Sequence, residues 1–173
     1  MHNTDTKLYT CGVLTISDKG AAGKRQDTSG PLLRDLLTAQ GFTVKVYTII
    51  PDQQELIEST LIEWVDDRKI DLIVTTGGTG VSPSDRTPEA TRRVIELEIP
   101  GIGEAMRQAS FAKTRNAVWS RGIAGIRGQS LMINLPGSAK AAKENIEVVL
   151  PALTHGLYKL KGGTADCAAL RDL

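Results

Sequence analysis

The sequence predicts an α/β domain in which helices cover both faces of a mostly parallel β-sheet. Apolar segments of strand length alternate with amphipathic segments of helical length, which is the pattern of this fold class. The chain has 173 residues, of which 40% are hydrophobic, enough for a sizeable core. Because no linker or internal repeat interrupts the alternation, we predict a single domain over residues 1–173.

The first half of the chain supplies three predicted strands and two predicted helices. The strands are Leu8–Ser17, Phe42–Ile50 and Ile70–Thr75, and the helices are Leu32–Gln40 and Asp52–Arg68. Pro31 suits the first turn of the first helix, and Gly41 can end it. In the second helix, apolar side chains recur at the spacing of one helical face.

The second half supplies three predicted helices and two predicted strands. The helices run from Thr87 to about Leu97, over Gly103–Phe111 and over Ala139–Leu160, and the strands are Ala117–Ser120 and Ser130–Leu135. Thr87 is expected to cap its helix, and Pro151 is expected to kink the last helix. Three evenly spaced glycines predict a turn or hairpin over Arg121–Gly128. We expect a flexible N-terminus over residues 1–6 and a mobile tail over residues 162–173.

Charge and composition argue against several classes of function. The net charge is +1 and aromatic residues make up 4% of the chain, so neither the positive field nor the stacking residues of a nucleic-acid-binding protein are expected. No apolar run approaches the roughly 20 residues of a membrane span, and the N-terminus does not resemble a secretory signal. We therefore expect a cytoplasmic protein that binds neither nucleic acid nor membrane.

The few histidines and cysteines narrow the chemistry. Cys11, Cys167, His2 and His155 do not have the spacing of a zinc site. Mechanisms that need a histidine base, such as a Ser-His-Asp triad, are disfavoured for the same reason. Carboxylates, backbone amides, basic side chains and a metal ion are the groups left for catalysis.

The segment 75–80, Thr-Thr-Gly-Gly-Thr-Gly, is the most informative part of the sequence. It follows an apolar strand directly, and its glycines allow backbone N–H groups to turn toward a ligand. The carboxyl end of a strand is where α/β domains usually bind anions. The segment matches neither a Walker loop nor a dinucleotide fingerprint, and a tight turn without a ligand is the competing interpretation.

Loops that follow parallel strands gather at one edge of a sheet, because right-handed crossovers place the carboxyl ends of these strands on the same side. One pocket is therefore predicted to contain Ser17, Asp18, Asp52, residues 77–85 and residues 134–138. The last of these segments, Asn-Leu-Pro-Gly-Ser, fits both a helix cap and an anion site at a helix N-terminus. Four basic residues are candidates for balancing phosphate charge: Arg86, Arg121, Arg127 and Lys140.

Two carboxylates near these loops are candidates for catalysis. Asp52 precedes Glu55 by three residues, so a capping box competes with a role in the pocket. Asp85 is not needed as a cap, because Thr87 and Pro88 supply the helix start, and a solvated loop carboxylate is its alternative. A glycine loop with a nearby carboxylate indicates phosphoryl or nucleotidyl chemistry with a metal ion.

Together these motifs resemble the molybdopterin adenylyltransferase family, which includes MogA-like and MoaB-like proteins and the G domains of gephyrin and plant Cnx proteins. The resemblance covers about Leu8 to Leu160. The motifs that carry it are Ile16-Ser17-Asp18, Asp27-Thr28-Ser29-Gly30, Ile50-Pro51-Asp52, Thr75 to Gly80, Asp85-x-Thr87-Pro88-Glu89-Ala90, Pro100-Gly101, Ser120-Arg121, Ala124 to Gly128 and Asn134-Leu135-Pro136-Gly137. So many motifs in order are specific for the superfamily.

The resemblance implies a three-layer α/β/α sandwich that assembles as a homotrimer. It also implies Mg²⁺-dependent transfer of AMP from ATP to the terminal phosphate of molybdopterin, with release of pyrophosphate. The product would then pass to a MoeA-like molybdenum insertase. The family's two essential carboxylates fall at Asp52 and Asp85, one of which ligates or orients Mg²⁺ while the other positions the reacting phosphates. The residues expected to bind nucleotide or pterin are Ser17, Asp18, Gly77, Gly78, Thr79, Gly80, Ser110, Ser120, Asn134, Pro136, Gly137 and Ser138.

Three alternatives accompany this interpretation. A non-catalytic MoaB-like module would bind the pterin without releasing pyrophosphate, and a scaffold similar to the gephyrin G domain would form trimers without catalysis. Domains of the CinA and MoeA groups share the glycine loop and the following Asp but normally lie in longer chains. The segment 27–30 resembles MoaB whereas Asp52 is retained, so the paralogue stays open, and Ser84 stands where many family members carry Arg.

Overall fold

A computed structural model describes residues 9–164 of the chain. The predicted flexible N-terminus, residues 1–6, and residues 165–173 of the predicted mobile tail lie outside this range. The strands of the described part are β1 (Thr10–Ile16), β2 (Thr43–Ile50), β3 (Leu72–Thr76), β4 (Leu97–Glu98), β5 (Ala124–Arg127) and β6 (Ser130–Leu135). Its α-helices are α1 (Asp18–Ala21), α2 (Ser29–Ala39), α3 (Gln54–Asp66), α4 (Thr87–Val94), α5 (Pro100–Phe111) and α6 (Ala139–Leu160), and a 3₁₀ helix covers Arg115–Trp119.

The strands form one mostly parallel sheet in the order β2-β1-β3-β6-β5-β4. β2, β1, β3 and β6 are parallel, whereas β5 is antiparallel to both β6 and β4. The register pairs Ile16 with Ile50, Thr15 with Thr76, and Thr76 with Leu135. The carboxyl ends of the four parallel strands therefore lie level along one edge, where the loops of the predicted pocket begin.

Two apolar clusters on opposite faces of the sheet confirm the three-layer α/β/α arrangement. Alternate side chains of each strand point to opposite faces. On one face Val13 and Val74 pack with α2, α5 and α6, and on the other Leu14 and Ile73 pack with α3 and α4. The near-continuous burial of β1, β3 and β6 follows from this double cover, because helices shield both faces of parallel strands.

One predicted strand is wrong. The sequence predicts an extended segment over Ala117–Ser120, but residues 115–119 form the 3₁₀ helix, which begins where the Thr114 hydroxyl accepts a hydrogen bond from the Asn116 N–H. Val118 and Trp119 are 61% and 62% exposed, so the apolar residues that suggest a strand do not enter the core. The adjoining hairpin prediction is confirmed, since β5 and β6 are joined through Gly128 at φ 55°.

Several helix boundaries also differ from prediction. α4 ends at Val94 rather than Leu97, because Ile95 is extended and residues 97–98 pair with β5 as β4. α5 begins at Pro100, which occupies its first turn, rather than at Gly103. α6 continues as one helix through Pro151.

Candidate functional site

The glycine loop makes a sharp bend at the carboxyl end of β3. Gly77 and Gly78 have φ values of 104° and 64°, which residues other than glycine adopt only with strain. A Cβ on Gly77 would overlap the Ile16 carbonyl oxygen, and a Cβ on Gly78 would overlap the Thr87 hydroxyl. Both glycines are therefore needed for backbone conformation and for close packing, which is more than a generic turn requires.

Thr87 does not have the capping role predicted for it. Arg86 is the residue before the first turn of α4 and makes no side-chain cap. The buried Thr87 hydroxyl instead donates a 2.9 Å hydrogen bond to the Gly77 carbonyl oxygen. Helix α4 is thus tied directly to the bend of the glycine loop.

Asp52 lies beside the glycine loop and not at a helix cap. Helix α3 begins at Gln54 after Gln53, so the capping-box interpretation is wrong. The Asp52 carboxylate accepts a 2.8 Å hydrogen bond from the Asp18 N–H, and the Asp18 carboxylate accepts a 2.9 Å bond from the Asp52 N–H. This reciprocal pair fastens the loop after β1 to the loop after β2. A Cβ on Gly78 would come within 3.2 Å of an Asp52 carboxylate oxygen.

The Asp52 carboxyl has a pKa above its ordinary value. Burial is the largest cause, because it disfavours the charged form, and repulsion from Asp18 and Asp85 acts in the same direction. The hydrogen bond from the Asp18 N–H opposes these effects. Two neighbouring carboxylates, Asp18 and Asp85, therefore place negative charge close to Asp52.

Asp85 is the second carboxylate at the bend. One of its carboxylate oxygens accepts a 2.8 Å hydrogen bond from the Ser82 N–H, which closes the loop locally. A Cβ on Gly80 would lie 2.9 Å from this oxygen, so the absence of a side chain there lets the carboxylate approach the backbone. Asp85 therefore has a defined position instead of being a freely solvated loop side chain.

A cavity of about 630 Å³ opens at this edge of the sheet. The predicted site residues that line it are Ser17, Asp52, Gly77, Gly78, Asp85, Gly137 and Ser138. They come from four loops that follow β1, β2, β3 and β6, so the predicted convergence of these loops is seen in the structure. The Ser138 hydroxyl caps α6 by accepting a 3.2 Å bond from the Ala141 N–H, in agreement with the cap interpretation.

The other predicted binding residues do not line this cavity. Asp18 does not line the cavity itself, but its N–H donates a hydrogen bond to the Asp52 carboxylate. The carbonyl oxygens of Thr79, Gly80 and Pro136 accept internal hydrogen bonds from Arg121 and Thr76. Asn134 is buried and bonded to Thr75, Thr91 and the Ile123 N–H, which connects β6 to β3 and α4. Ser110 accepts a bond from Asn145 between α5 and α6, and Ser120 follows the 3₁₀ helix.

Asp27 lines the cavity, although the sequence did not identify it as a residue of the site. Its carboxylate accepts hydrogen bonds from the Thr15, Ser29 and Tyr47 hydroxyls and from the Ser29 and Gly30 N–H groups. Burial raises the pKa of Asp27, but these donors outweigh burial and hold the pKa below its ordinary value. Burial and the bond to Asp27 raise the pKa of Tyr47 to about 12. In the sequence the segment 27–30 stands out only as a family motif, and only tertiary contacts disclose that it joins β1, β2 and α2.

Arg121 fastens the loop that carries Asp85. Its Nε donates to the Gly80 carbonyl oxygen at 2.6 Å, its Nη2 donates to the Asp85 carbonyl oxygen at 2.9 Å, and its Nη1 pairs with Glu89 on α4. Burial raises the pKa of Glu89, but the bond from Arg121 and the other favourable contacts hold it below its ordinary value. The sequence makes Arg121 a candidate for balancing phosphate charge, whereas the structure uses its guanidinium within the loop.

Among residues 9–164, no group of three or more His, Cys, Asp or Glu side chains is placed to hold a metal ion. Within the same range, no helix has the length and apolarity needed to cross a membrane.

Fold and site define an open α/β domain that presents a glycine loop and two carboxylates in the crevice at the carboxyl edge of a parallel sheet. Domains of this class bind their ligands in that crevice.

Comparison with known proteins assigns the family. Residues 12–155 match the family described as "Probable molybdopterin binding domain", and the chain belongs to this family. A molybdopterin adenylyltransferase of Helicobacter pylori J99 is 42% identical over 146 residues, which cover 83% of each chain. The crystal structure of the molybdopterin biosynthesis enzyme MoaB from Thermus thermophilus is 47% identical, with a TM-score of 0.85 over 90% of this chain and 98% of that chain. The Drosophila melanogaster molybdenum cofactor synthesis protein cinnamon is 42% identical over 150 residues; these cover 86% of this chain but 25% of cinnamon.

Proposed function

We propose that this chain is a molybdopterin adenylyltransferase of molybdenum cofactor biosynthesis. The reaction transfers AMP from ATP to the terminal phosphate of molybdopterin and releases pyrophosphate. The observation that carries the proposal is that Asp52, Asp85 and the Gly77–Gly78 bend line one cavity. Membership of the family and relatives named molybdopterin adenylyltransferase, one of them 42% identical, support it.

The chemistry of this reaction fits the side chains that are present. A phosphate oxygen of molybdopterin attacks the α-phosphorus of ATP, a new P–O bond forms, and the bond to the β-phosphate oxygen breaks as pyrophosphate leaves. The attacking oxygen already carries negative charge, so no base is needed to activate it. His155, the one histidine of residues 9–164, lies on α6 and does not line the cavity. Positioning and charge stabilisation remain as the main tasks of the protein.

Asp52 and Asp85 fit a magnesium ion that is shared with substrate. A complete cage of protein ligands is not found among residues 9–164, and Mg²⁺ in nucleotide enzymes is usually held by one or two carboxylates together with phosphate oxygens. The proximity of the Asp18 and Asp85 carboxylates, which repel the charged form of Asp52, agrees with such a site. When bound there, Mg²⁺ would offset charge on the triphosphate and on the departing pyrophosphate.

Backbone atoms and hydroxyl groups of the cavity are suited to binding and positioning the phosphates. The bend at Gly77 and Gly78 presents main-chain atoms to the cavity without intervening side chains, which suits close contact with phosphate. Ser17 and Ser138 line the same cavity next to the starts of α1 and α6. We assign these groups to holding the reactants in line, and Asp52 and Asp85 to the metal ion and the reacting phosphates.

The direct test is incubation of the purified chain with molybdopterin, ATP and Mg²⁺, followed by mass spectrometry of the pterin. Adenylylated pterin with an equal yield of pyrophosphate is the expected result. Tight pterin binding without pyrophosphate release would instead identify the non-catalytic, MoaB-like alternative. Omission of Mg²⁺ with added chelator serves as the control and should abolish the product.

We further propose a cytoplasmic homotrimer that delivers its product to a MoeA-like insertase. An apolar groove of about 400 Å³ between α5 and α6, lined by side chains such as Ile102 and Leu153, supports subunit contact. Light scattering of the purified chain should give a mass close to three times 18.6 kDa. A monomeric mass at micromolar concentration would contradict the trimer and leave the reaction untouched.

A further inference from the structure

The charges that line the cavity are unbalanced. Three of its lining residues are carboxylates, Asp27, Asp52 and Asp85, and Arg25 is the one cation among the lining residues of the described chain. A cavity that receives a triphosphate and a second phosphate group needs positive charge, because phosphate oxygens are desolvated on binding. Backbone N–H groups and a metal ion supply part of it. Arg25 is the side chain placed to supply more.

The Arg25 guanidinium has unused donors. Within residues 9–164 it makes no side-chain hydrogen bond and no ion pair. Other arginines are occupied: Arg127 binds Asp66 and the Val94 carbonyl oxygen, and Arg121 binds Glu89 and two carbonyl oxygens of its loop. A guanidinium presents five N–H donors in a planar fork that matches phosphate oxygens. Arg25 keeps all of these donors available at the cavity.

The backbone around Arg25 is nevertheless fixed. Gly23 makes a left-handed turn at φ 68°, and the N–H groups of Lys24 and Arg25 both donate to the Lys19 carbonyl oxygen, at 2.8 and 3.1 Å. Two residues later, Asp27 is held by its hydrogen bonds to β1, β2 and α2. Arg25 is thus presented to the cavity by a segment anchored on both sides, so the ordering cost on binding falls mainly on its own side chain.

We propose that Arg25 binds phosphate oxygens of the substrate in this cavity. The inference rests on the proposed function for the identity of the phosphate compound, which is either the polyphosphate of ATP or the phosphate of molybdopterin. Lys24 provides a matched control, because it is an exposed neighbouring cation that does not line the cavity. The variants Arg25→Gln and Lys24→Gln change the net charge equally.

The first measurement is calorimetric titration of inorganic pyrophosphate in the presence of Mg²⁺. Loss of a charge-assisted contact should weaken binding by about tenfold to a hundredfold in Arg25→Gln. Lys24→Gln should stay within about twofold of the unmodified chain, and Arg25→Lys should recover part of the affinity. Equal losses in both Gln variants would overturn the proposal, and so would equal affinities of Arg25→Gln and the unmodified chain together with unchanged KM values for ATP and molybdopterin.

Steady-state kinetics then distinguish the two sources of phosphate. A higher KM for ATP in Arg25→Gln assigns the contact to the nucleotide, a higher KM for molybdopterin assigns it to the pterin, and unchanged KM values for both refute the contact. Because the pyrophosphate titration needs no turnover, the two proposals can fail separately. Arg25-dependent pyrophosphate binding by a chain that makes no adenylylated pterin would refute adenylyl transfer and support the phosphate site.

Discussion

Replacement of Arg121 by Lys tests whether positioning of Asp85 sets the reaction rate. Arg121 holds the loop of residues 79–85 through the Gly80 and Asp85 carbonyl oxygens and anchors it to Glu89 on α4. An ammonium group keeps the positive charge but has a single nitrogen, so it cannot occupy the positions of the three guanidinium nitrogens that make these contacts. The loop carrying Asp85 then loses its support while the charge of the site is unchanged.

The expected magnitudes follow from these contacts. Hydrogen bonds of charged groups contribute about 1.5–3 kcal/mol each when buried. The Arg121 side chain is 35% exposed, so we discount their sum and expect the free energy of unfolding to fall by about 2 kcal/mol. Displacement of a reacting group by about 1 Å can cost about a hundredfold in rate. We therefore expect kcat to fall by about two orders of magnitude, with the KM for ATP changed by less than about threefold.

Arg127→Lys is the matched control for this experiment. Arg127 also binds a carboxylate and a carbonyl oxygen, but these belong to Asp66 and Val94, which lie outside the loop that carries Asp85. Both variants should lose similar stability in urea unfolding, and Arg121→Lys alone should lose turnover in the mass-spectrometric assay. A kcat for Arg121→Lys within about threefold of the unmodified enzyme, or an equal loss in Arg127→Lys, would show that the clamp does not position Asp85.

Three further predictions concern the carboxylates and the bend. Asp52→Asn and Asp85→Asn should each lower kcat by at least about a hundredfold with little change in ATP affinity, and near-normal turnover of both would refute their roles. Gly78→Ala should lower the free energy of unfolding by about 3 kcal/mol, because backbone strain adds to the overlap of the new Cβ with Thr87 on α4. The control Gly128→Ala should lower it by about 1 kcal/mol, since Gly128 has a φ of 55° but open space around the position of a Cβ. Equal losses of the two variants in urea unfolding would contradict this prediction. The lowered pKa of Asp27 means that its charged form stabilises the fold fully above the ordinary carboxyl pKa of 3.8, and that this contribution is lost as the pH falls through the folded-state value. The free energy of unfolding of Asp27→Asn should therefore be about 2 kcal/mol lower than that of the unmodified chain at neutral pH, and it should decrease less as the pH falls. An equal decrease in both proteins between neutral and acidic pH would contradict the role of the Asp27 charge.

Much of the fold could be predicted because local patterns and tertiary contacts agree. β1, β3 and β6 are short apolar runs that suit a doubly covered sheet, and their predicted ends agree with the observed ones to within about two residues. The strand predicted over Ala117–Ser120 is wrong because its apolar side chains suggest a strand, whereas no neighbouring strand pairs with it among the described residues. Apolar composition alone does not distinguish buried from exposed residues.

The candidate site could be predicted in part, for a similar reason. Asp52, Asp85 and the glycine bend could be expected at one edge because parallel strands impose that geometry. The position of Asn134 could not be foreseen, since its buried amide bonds to Thr75 and Thr91 from other elements. Arg25 and Arg121 are both arginines in loops, but Arg25 lines the cavity, whereas each guanidinium nitrogen of Arg121 makes a bond to Gly80, Asp85 or Glu89.

The sequence by itself determined the alternation of strands and helices, the strand that ends in a glycine bend, and the supply of carboxylates without a catalytic histidine. These are properties of neighbouring residues, and local sterics and hydrophobic periodicity specify them. Only the tertiary structure decided which polar groups face the cavity and which are consumed by internal hydrogen bonds. That division depends on partners far away in the chain, such as Asp18 for Asp52 and Thr75 for Asn134, and sequence spacing does not encode their distances.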